Sequence, residues 1–387
     1  MAELDYHDLE HTGPGTLAGR YLRSFWQPVG RAKDLASGRS VPVRLMGEDF
    51  TLYRGESGKA QAVAFRCAHR GTQLSVGWVE GDCIRCRYHG WMYDATGQCV
   101  EQPGEDASSA ARVSIRSYPT EEYLGLIFCY LGEGEAPPLR RFPDFERPGI
   151  LEAGPPETWP CNYFNRIDND PGHVPFTHRE STRRTGGSDQ FKLRTVTAKE
   201  TEYGVMSTST APGRPEFYIH FHMPNINQTR SVLRVEGSIE DARKLWADRL
   251  FWRLPVDDES CISYVVDMIH LTGAEAEAYM KRRRQAEAAE GPSPNEIAEL
   301  ILAGKMSVED VDLDTSMYKL FWIEDYVTQV SQGRRANRPP DRLGKIDQTV
   351  TLKRKIWERE LKALAEGHPV KAWAEPVGLA DMSAVGA

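Results

Sequence analysis

Cys67-Ala68-His69-Arg70-Gly71 and Cys86-Arg87-Tyr88-His89-Gly90-Trp91 decide the reading of this 387-residue chain. Sixteen residues, 70–85, separate His69 from Cys86, so two loops each bring one thiol and one imidazole. Thiolates suit iron–sulfur clusters. Imidazoles on one iron leave such a cluster less negative, which raises its reduction potential above that of an all-cysteine cluster. Two cysteines and two histidines can also hold tetrahedral zinc. Zinc fingers, however, pair Cys with Cys and His with His at short spacing, whereas here each loop carries one of each.

Composition bounds what surrounds these loops. The length predicts about two to three domains. Hydrophobic content of 40% and charged content of 27% are those of an ordinary globular protein. A net charge of -8 argues against a nucleic-acid partner and leaves room for docking to a basic protein face. The acidic opening, Met1 to Asp8, shows no secretory signal. The longest apolar run, Leu124 to Leu131, is far short of the roughly 20 residues that span a bilayer, so no membrane segment is expected. Seven cysteines do not form a disulfide framework, which points to the reducing cytoplasm. Cys83 and Cys86 make a Cys-x-x-Cys pair, but Cys86 already counts as a ligand. Cys99, Cys129, Cys161 and Cys261 read as small apolar residues.

Periodicity gives the outline. Leu17, Tyr21, Leu22, Phe25 and Trp26 stand at near-helical spacing, with Pro28 and Gly30 as the expected stop. Strands are expected at 41–46, 50–53 and 62–65, then, after the ligand loops, near 112–115 and 125–131. The Pro- and Gly-rich stretch 132–156 reads as a domain boundary. A helical stretch is expected from Asn162 to His178, then strands at 190–198, 203–210, 216–223, 231–237, 249–255 and 262–271. Helices are expected at 274–290, 295–303, 315–331 and 346–365. The run Lys281-Arg282-Arg283-Arg284 lies among Ala and Glu and reads as a solvated helix face.

A second constellation lies in Asp168-Asn169-Asp170-Pro171-Gly172-His173-Val174-Pro175-Phe176-Thr177-His178. Two histidines and a distant carboxylate make a facial triad that leaves positions open on ferrous iron. His173 and His178 are five apart, so on a regular helix they diverge by about 140°. Sharing one ion requires a distortion, and Pro175 supplies a breaker. From spacing alone, two unrelated histidines are as good a reading. Helix 321–333 offers Glu324 and Asp325 as the late carboxylate, and spacing does not choose between them. His220 and His222 are two apart on a strand and share a face. If that face lines a cavity, they can hold a substrate carboxylate or phenol, with Asn225, Asn227 and Arg230 as further candidates.

Cys-x-His-Arg-Gly with Cys-x-x-His-Gly-Trp resembles the Rieske [2Fe–2S] signature. Asp-x-x-His-x4-His following it resembles the catalytic subunit of Rieske non-heme iron oxygenases of the phthalate dioxygenase-like group, and the likeness covers essentially the whole chain. It implies an α+β fold: a helical lead-in and all-β Rieske domain over 1–140, and a helix-grip catalytic domain over 141–387. It implies that Cys67 and Cys86 bind one iron of the cluster and His69 and His89 the other. His173, His178 and Asp325 would hold the mononuclear iron, with Glu324 the alternative to Asp325. Asp170 would be the bridging carboxylate between the two centres of adjacent subunits, with Asp168 its alternative. The family carries an Asn three residues before the Asp; here Asn169 directly precedes Asp170, which puts a supporting role for Asn169 in doubt. The resemblance further implies a separate reductase or ferredoxin as electron donor, a homotrimer, and dioxygen with a small aromatic as substrates. Within the family, the likeness leans to enzymes that demethylate lignin-derived methoxyarenes; ring cis-dihydroxylation is the alternative. A non-catalytic electron carrier or ligand-binding module is the alternative outside it.

Overall fold

From Trp26 onward the alternating pattern forms strands, and their pairing decides where each loop points. The computed structural model describes residues 7–169, 174–184, 194–211, 214–232, 246–287, 293–311 and 317–376. In the N-terminal third, β1 (Trp26–Arg31) pairs with β11 (Leu126–Tyr130), which also pairs with β10 (Thr120–Tyr123). A second sheet runs β2 (Ser40–Leu45), β3 (Glu48–Arg54), β4 (Ala60–Ala64) and β9 (Ser117–Tyr118). A third runs β5 (Trp78–Glu80), β6 (Cys83–Arg85), β7 (Met92–Tyr93) and β8 (Cys99–Glu101). The Cys86–Trp91 loop joins β6 to β7, and the Cys67 loop follows β4, so neighbouring short strands fix both.

The lead-in helix Leu17–Arg23 is shorter than expected. The Thr16 hydroxyl caps it by accepting from the Gly19 amide at 3.1 Å. It stops at Arg23, and Trp26 already belongs to β1, with Pro28 and Gly30 flanking a bulge. The fully buried β11 offers an apolar partner that outweighs helical spacing, and a bulge tolerates the missing proline N–H. The helix packs instead on the far end of the chain: Tyr21 meets Trp357 of the C-terminal helix Gln348–Ala365 with ring centroids 5.1 Å apart.

The large sheet is antiparallel, in the order β12 (Ile150–Ala153), β19 (Cys261–Ile269), β18 (Trp246–Pro255), β17 (Ile226–Val232), β16 (Arg214–His222), β15 (Gly204–Ala211), β14 (Thr195–Thr201). The short β13 (Glu157–Trp159) also pairs with β19. Of the strand expected at 231–237, residues 231 and 232 end β17, which pairs with β16 and β18 on either side, and residues 233–237 lie outside the described residues.

Register assigns the two faces. Phe221, Asn227, Phe251 and Val265 are directly opposed across β16, β17, β18 and β19, so they share one face. On that face Lys353 of the C-terminal helix lies over Phe221, 4.8 Å from the ring centroid. The Ser207 hydroxyl on β15 meets that of Thr349 at 2.9 Å. This is the helix face. The opposite face carries His222, Ile226, Trp252 and Tyr264, and the Pro-rich connection covers it: Phe142 packs edge-on to His222 at 5.4 Å and to Trp252 at 6.0 Å.

The segment expected as one helix from 162 to 178 is broken. Tyr163–Ile167 is helical, capped by the Asn162 side chain accepting from the Phe164 amide at 2.9 Å, and Val174–Thr177 is a separate turn of helix. The helices Gly273–Glu287, Pro294–Leu302 and Met317–Val330 follow the large sheet. Among the described residues, no helix is long and apolar enough to cross a membrane.

Candidate active site

The two cysteine–histidine loops repeat one turn. In each, the amide four residues after the cysteine returns to the cysteine carbonyl: Gly71 to Cys67 at 2.9 Å and Gly90 to Cys86 at 3.0 Å. Gly71 and Gly90 both sit at positive φ, 75° and 76°, where a side chain would strain the backbone. The loops place the thiols inside and the imidazoles outside. Cys67 and Cys86 are buried, whereas His69 and His89 are exposed with ring centroids 4.5 Å apart. Trp91 stacks on His69 at 4.7 Å. The Tyr93 hydroxyl approaches the Cys67 sulfur at 3.2 Å and accepts from the Ala68 amide. Burial pushes the Cys67 thiol up, and desolvation followed by the neighbouring His69 pushes His89 down. The donor set therefore divides into a buried thiol pair and an outer imidazole pair. That division fits a two-iron cluster with sulfur ligands on its inner iron and nitrogen ligands on its outer one.

Of the second constellation, Asp170 and His173 lie outside the described residues. His178 and Asp325 are described, and the structure brings them together. His178 is buried, with Nε2 3.5 Å from Asp325 Oδ1 and Nδ1 3.6 Å from Glu324 Oε2. Phe321, one helical turn before Asp325, packs on the imidazole at 4.4 Å.

The two acids have different work. Glu324 is buried and accepts from the Glu180 amide at 2.8 Å, from the Ser181 amide at 3.3 Å and from the Ser181 hydroxyl. It thus caps the short helix Arg179–Arg184 and faces the inner nitrogen of His178. Asp325 is more open. Its Oδ1 accepts from Gln329 Nε2 at 3.1 Å and from Asn169 Nδ2 at 3.4 Å, so Asn169 does touch this carboxylate. Gln329 is itself held by the Arg166 guanidinium, 2.9 Å from its Oε1, and Arg166 lies 3.4 Å over the Trp159 ring. Gln329 and Arg166 carry no recognisable motif, and only the three-dimensional contact reveals their part.

Asp168 is committed elsewhere. It takes Arg354 Nε at 3.1 Å, and Arg354 also reaches Asp341 at 2.7 Å, so Asp168 ties the segment to the C-terminal helix. Behind Asp325, burial raises Glu157 to about 7 and lowers Arg253 to about 9.

His220, His222 and Asn225 do not line this site. Both imidazoles stand on the sheet face opposite the helices, in a packed polar seam: His222 Nε2 bonds Gln228 Oε1 at 2.8 Å, and His220 Nδ1 bonds the Tyr203 hydroxyl at 2.5 Å. Burial lowers His220 to about 4, and burial also holds His222 well below the ordinary imidazole value. Asn225 sits in the β16–β17 turn and donates to Gln27 Oε1 and the Arg253 carbonyl, both at 3.0 Å. Arg230, on the same face as the histidines, forks onto buried Asp248 at 2.7 and 3.1 Å. Strand alternation shows that two residues share a face, but not which face is hollow.

Residues 25–119 match the family model of the Rieske [2Fe-2S] domain. Over 381 residues the chain is 28% identical to the 5,5'-dehydrodivanillate O-demethylase oxygenase subunit of Sphingobium sp. (strain NBRC 103272 / SYK-6), covering 94% of this chain and 81% of that one. It is 42% identical over 279 residues to the terminal oxygenase component CarAa of carbazole 1,9a-dioxygenase from Sphingomonas sp, covering 62% of this chain and 71% of the relative. In fold it is similar to a carbazole-bound oxygenase and ferredoxin complex of carbazole 1,9a-dioxygenase, with TM-score 0.60 at 18% identity over 95% of this chain and 96% of that one. The zinc reading of the first site falls with these matches.

Proposed function

The chain belongs to the Rieske non-heme iron oxygenases, as a terminal oxygenase subunit, and from that premise we propose that it oxidises an aromatic methoxy group and releases formaldehyde. In this family a [2Fe–2S] cluster supplies single electrons and a mononuclear iron supplies the place where dioxygen is reduced. The observation that carries the assignment of the second centre is the placement of His178, with one ring nitrogen toward buried Glu324 and the other toward the half-open Asp325. Glu324 stands 3.6 Å from the inner nitrogen of the ring, and Nε2 with the Asp325 carboxylate would share a cation. His173 is the proposed third ligand and Asp170 the proposed bridge to the neighbouring subunit. Cys67, Cys86, His69 and His89 are the proposed cluster ligands.

Hydroxylation of a methoxy carbon consumes one dioxygen, two electrons and two protons and gives a hemiacetal and water. The hemiacetal then separates into a phenol and formaldehyde. Similarity over nearly the full length to an O-demethylase subunit supports this over ring dihydroxylation. The higher local identity to a carbazole dioxygenase component supports the second reading, a cis-diol product. Turnover of a methoxyarene panel with a reductase separates them: formaldehyde supports the first, and a cis-diol without formaldehyde overturns it.

A separate electron donor is part of the proposal, since the carbazole oxygenase structure holds a ferredoxin. So is a homotrimer, supported by the exposed rim around His69 and His89, where Trp78 and Tyr88 stand 43% and 57% exposed. Light scattering giving a trimer mass tests it; a monomer overturns it. The domain division near residue 140 and a cytoplasmic setting complete the reading.

A further inference from the structure

Asp325 is gripped from behind by a chain of buried side chains. Gln329, one helical turn further on, donates from Nε2 to Asp325 Oδ1 at 3.1 Å, and its Oε1 accepts from Arg166 Nη1 at 2.9 Å. Gln329 and Arg166 are both buried. Arg166 belongs to the short helix Tyr163–Ile167, which is fastened to the end of helix Met317–Val330: Asn165 Nδ2 donates to the Gly333 carbonyl at 3.1 Å. The Arg166 guanidinium stands 3.4 Å over the Trp159 ring and 5.8 Å from that of Trp322. Among the described residues, Gln329 alone accepts a hydrogen bond from it. Burying a guanidinium with no carboxylate bonded to it is costly, and the face of Trp159 offsets only part of that cost.

The direction of this chain is forced by its chemistry. A guanidinium carries donors and no acceptor, so the oxygen end of the Gln329 amide must face Arg166, and the nitrogen end then faces Asp325. Without the cation the amide is free to turn round. Its oxygen would then oppose a carboxylate oxygen, two acceptors with no proton between them, and the Asp325 side chain would swing away. Oδ1 of Asp325 also receives Asn169 Nδ2 at 3.4 Å and lies 3.5 Å from His178 Nε2. Oδ2 has no hydrogen-bond partner among the described residues. One oxygen is thus pinned by amides while the other keeps its lone pairs.

We infer that Arg166 is a positioning residue of the second iron site: by fixing which end of the Gln329 amide meets Asp325, it holds that carboxylate beside His178 in the pose that takes the metal. This rests on His178 and Asp325 being ligands, as proposed above. Ligand side chains depend on such outer partners for their orientation, and losing one weakens metal binding by about 10–100-fold.

Ferrous iron is the probe, titrated anaerobically by calorimetry into full-length protein that keeps its cluster and has had the second site emptied by a chelator. Arg166→Met, which fills the space and frees the amide, binds the ion at least about tenfold more weakly than wild type. Arg166→Lys, which keeps a donor for Gln329 Oε1, recovers most of that loss. Gln329→Leu falls by the same factor as Arg166→Met, and the double variant falls no further, because the two residues act through one chain. A merely structural role predicts instead that the two losses multiply. The visible spectrum of the cluster is the same in all variants. Wild-type affinity in Arg166→Met, a lysine variant as weak as the methionine one, or losses that multiply overturn the inference. Where Arg166→Met fails to fold, wild-type affinity in Gln329→Leu overturns it and a loss of at least about tenfold there bears it out. If wild type takes up no ferrous ion beyond its cluster, the ligand assignment fails and the role of Arg166 with it. If wild type and Arg166→Met bind the ion equally, only the role of Arg166 fails.

Discussion

Replacing Glu324 with alanine removes the carboxylate that holds His178 and caps the Arg179–Arg184 helix at once. Two backbone amides at 2.8 and 3.3 Å and the Ser181 hydroxyl lose their acceptor in a buried place, and the inner nitrogen of His178 loses the carboxylate 3.6 Å away. Hydrogen bonds to a charged group contribute about 1.5–3 kcal/mol each, and water entering the void recovers part of the sum. A net loss of about 3–5 kcal/mol is the expectation, the size seen when one partner of a buried ionic contact is removed. In a domain of this size, that lowers the melting temperature by about 6–20 °C, at roughly 2–4 °C per kcal/mol. Freed from its orienting partner, His178 should also hold metal about 10–100-fold less tightly. Glu324→Gln keeps acceptor oxygen at the same place and should lose about half as much stability. The assay is thermal unfolding by tryptophan fluorescence, paired with iron retention after dialysis against a chelator; the cluster's visible spectrum should not change. An alanine variant melting within about 2 °C of wild type with iron retained refutes the argument that Glu324 positions the site.

Further consequences follow from other parts of the molecule. His220 and His222 are buried neutral, so the unfolded chain takes up protons below the ordinary value of 6.5 that the fold refuses until about 4 for His220. Stability is therefore complete above pH 6.5 and falls as pH drops toward 4, by about 3 kcal/mol from His220 alone. His220→Phe should flatten the fall in urea midpoint between pH 7 and pH 5; an unchanged slope contradicts this origin. Gly90→Ala should bleach the cluster more than Gly71→Ala. Both glycines have positive φ, but a methyl group at 90 would meet Pro103 Cγ at 2.9 Å while the space at 71 is open. Equal visible spectra in the two variants would count against this packing. Asp168→Asn should cost stability of about 1–2 kcal/mol by leaving half-buried Arg354 with Asp341 as its remaining carboxylate, with turnover per folded molecule retained. A stable but inactive variant would instead assign the bridging role to Asp168.

That the two loops form one four-ligand site was readable from residue types and spacing, and the resemblance to the Rieske signature chose the cluster over zinc. The late helix was readable too, since Leu320, Ile323 and Val327 give it a periodic apolar face, while its proposed role as a ligand helix came from resemblance. Its choice of acid was not: Glu324 and Asp325 are adjacent, and only contact with Ser181 and His178 shows that the first is enclosed and the second half-open. Resemblance rather than physics favoured Asp325 in the sequence. The pair His220 and His222 misled because period two says which residues share a face, while the connection through Phe142 decides which face is filled. The end of the first helix was set by a distant partner, β11, that no local window contains.

The central claim is that one chain holds two separate iron centres, and iron with acid-labile sulfide counted per chain tests it most directly. The account predicts about three irons and two sulfides in the loaded protein, and about two irons with an unchanged Rieske spectrum in His178→Ala. About two irons in wild type, or loss of the spectrum together with the iron in His178→Ala, would contradict it.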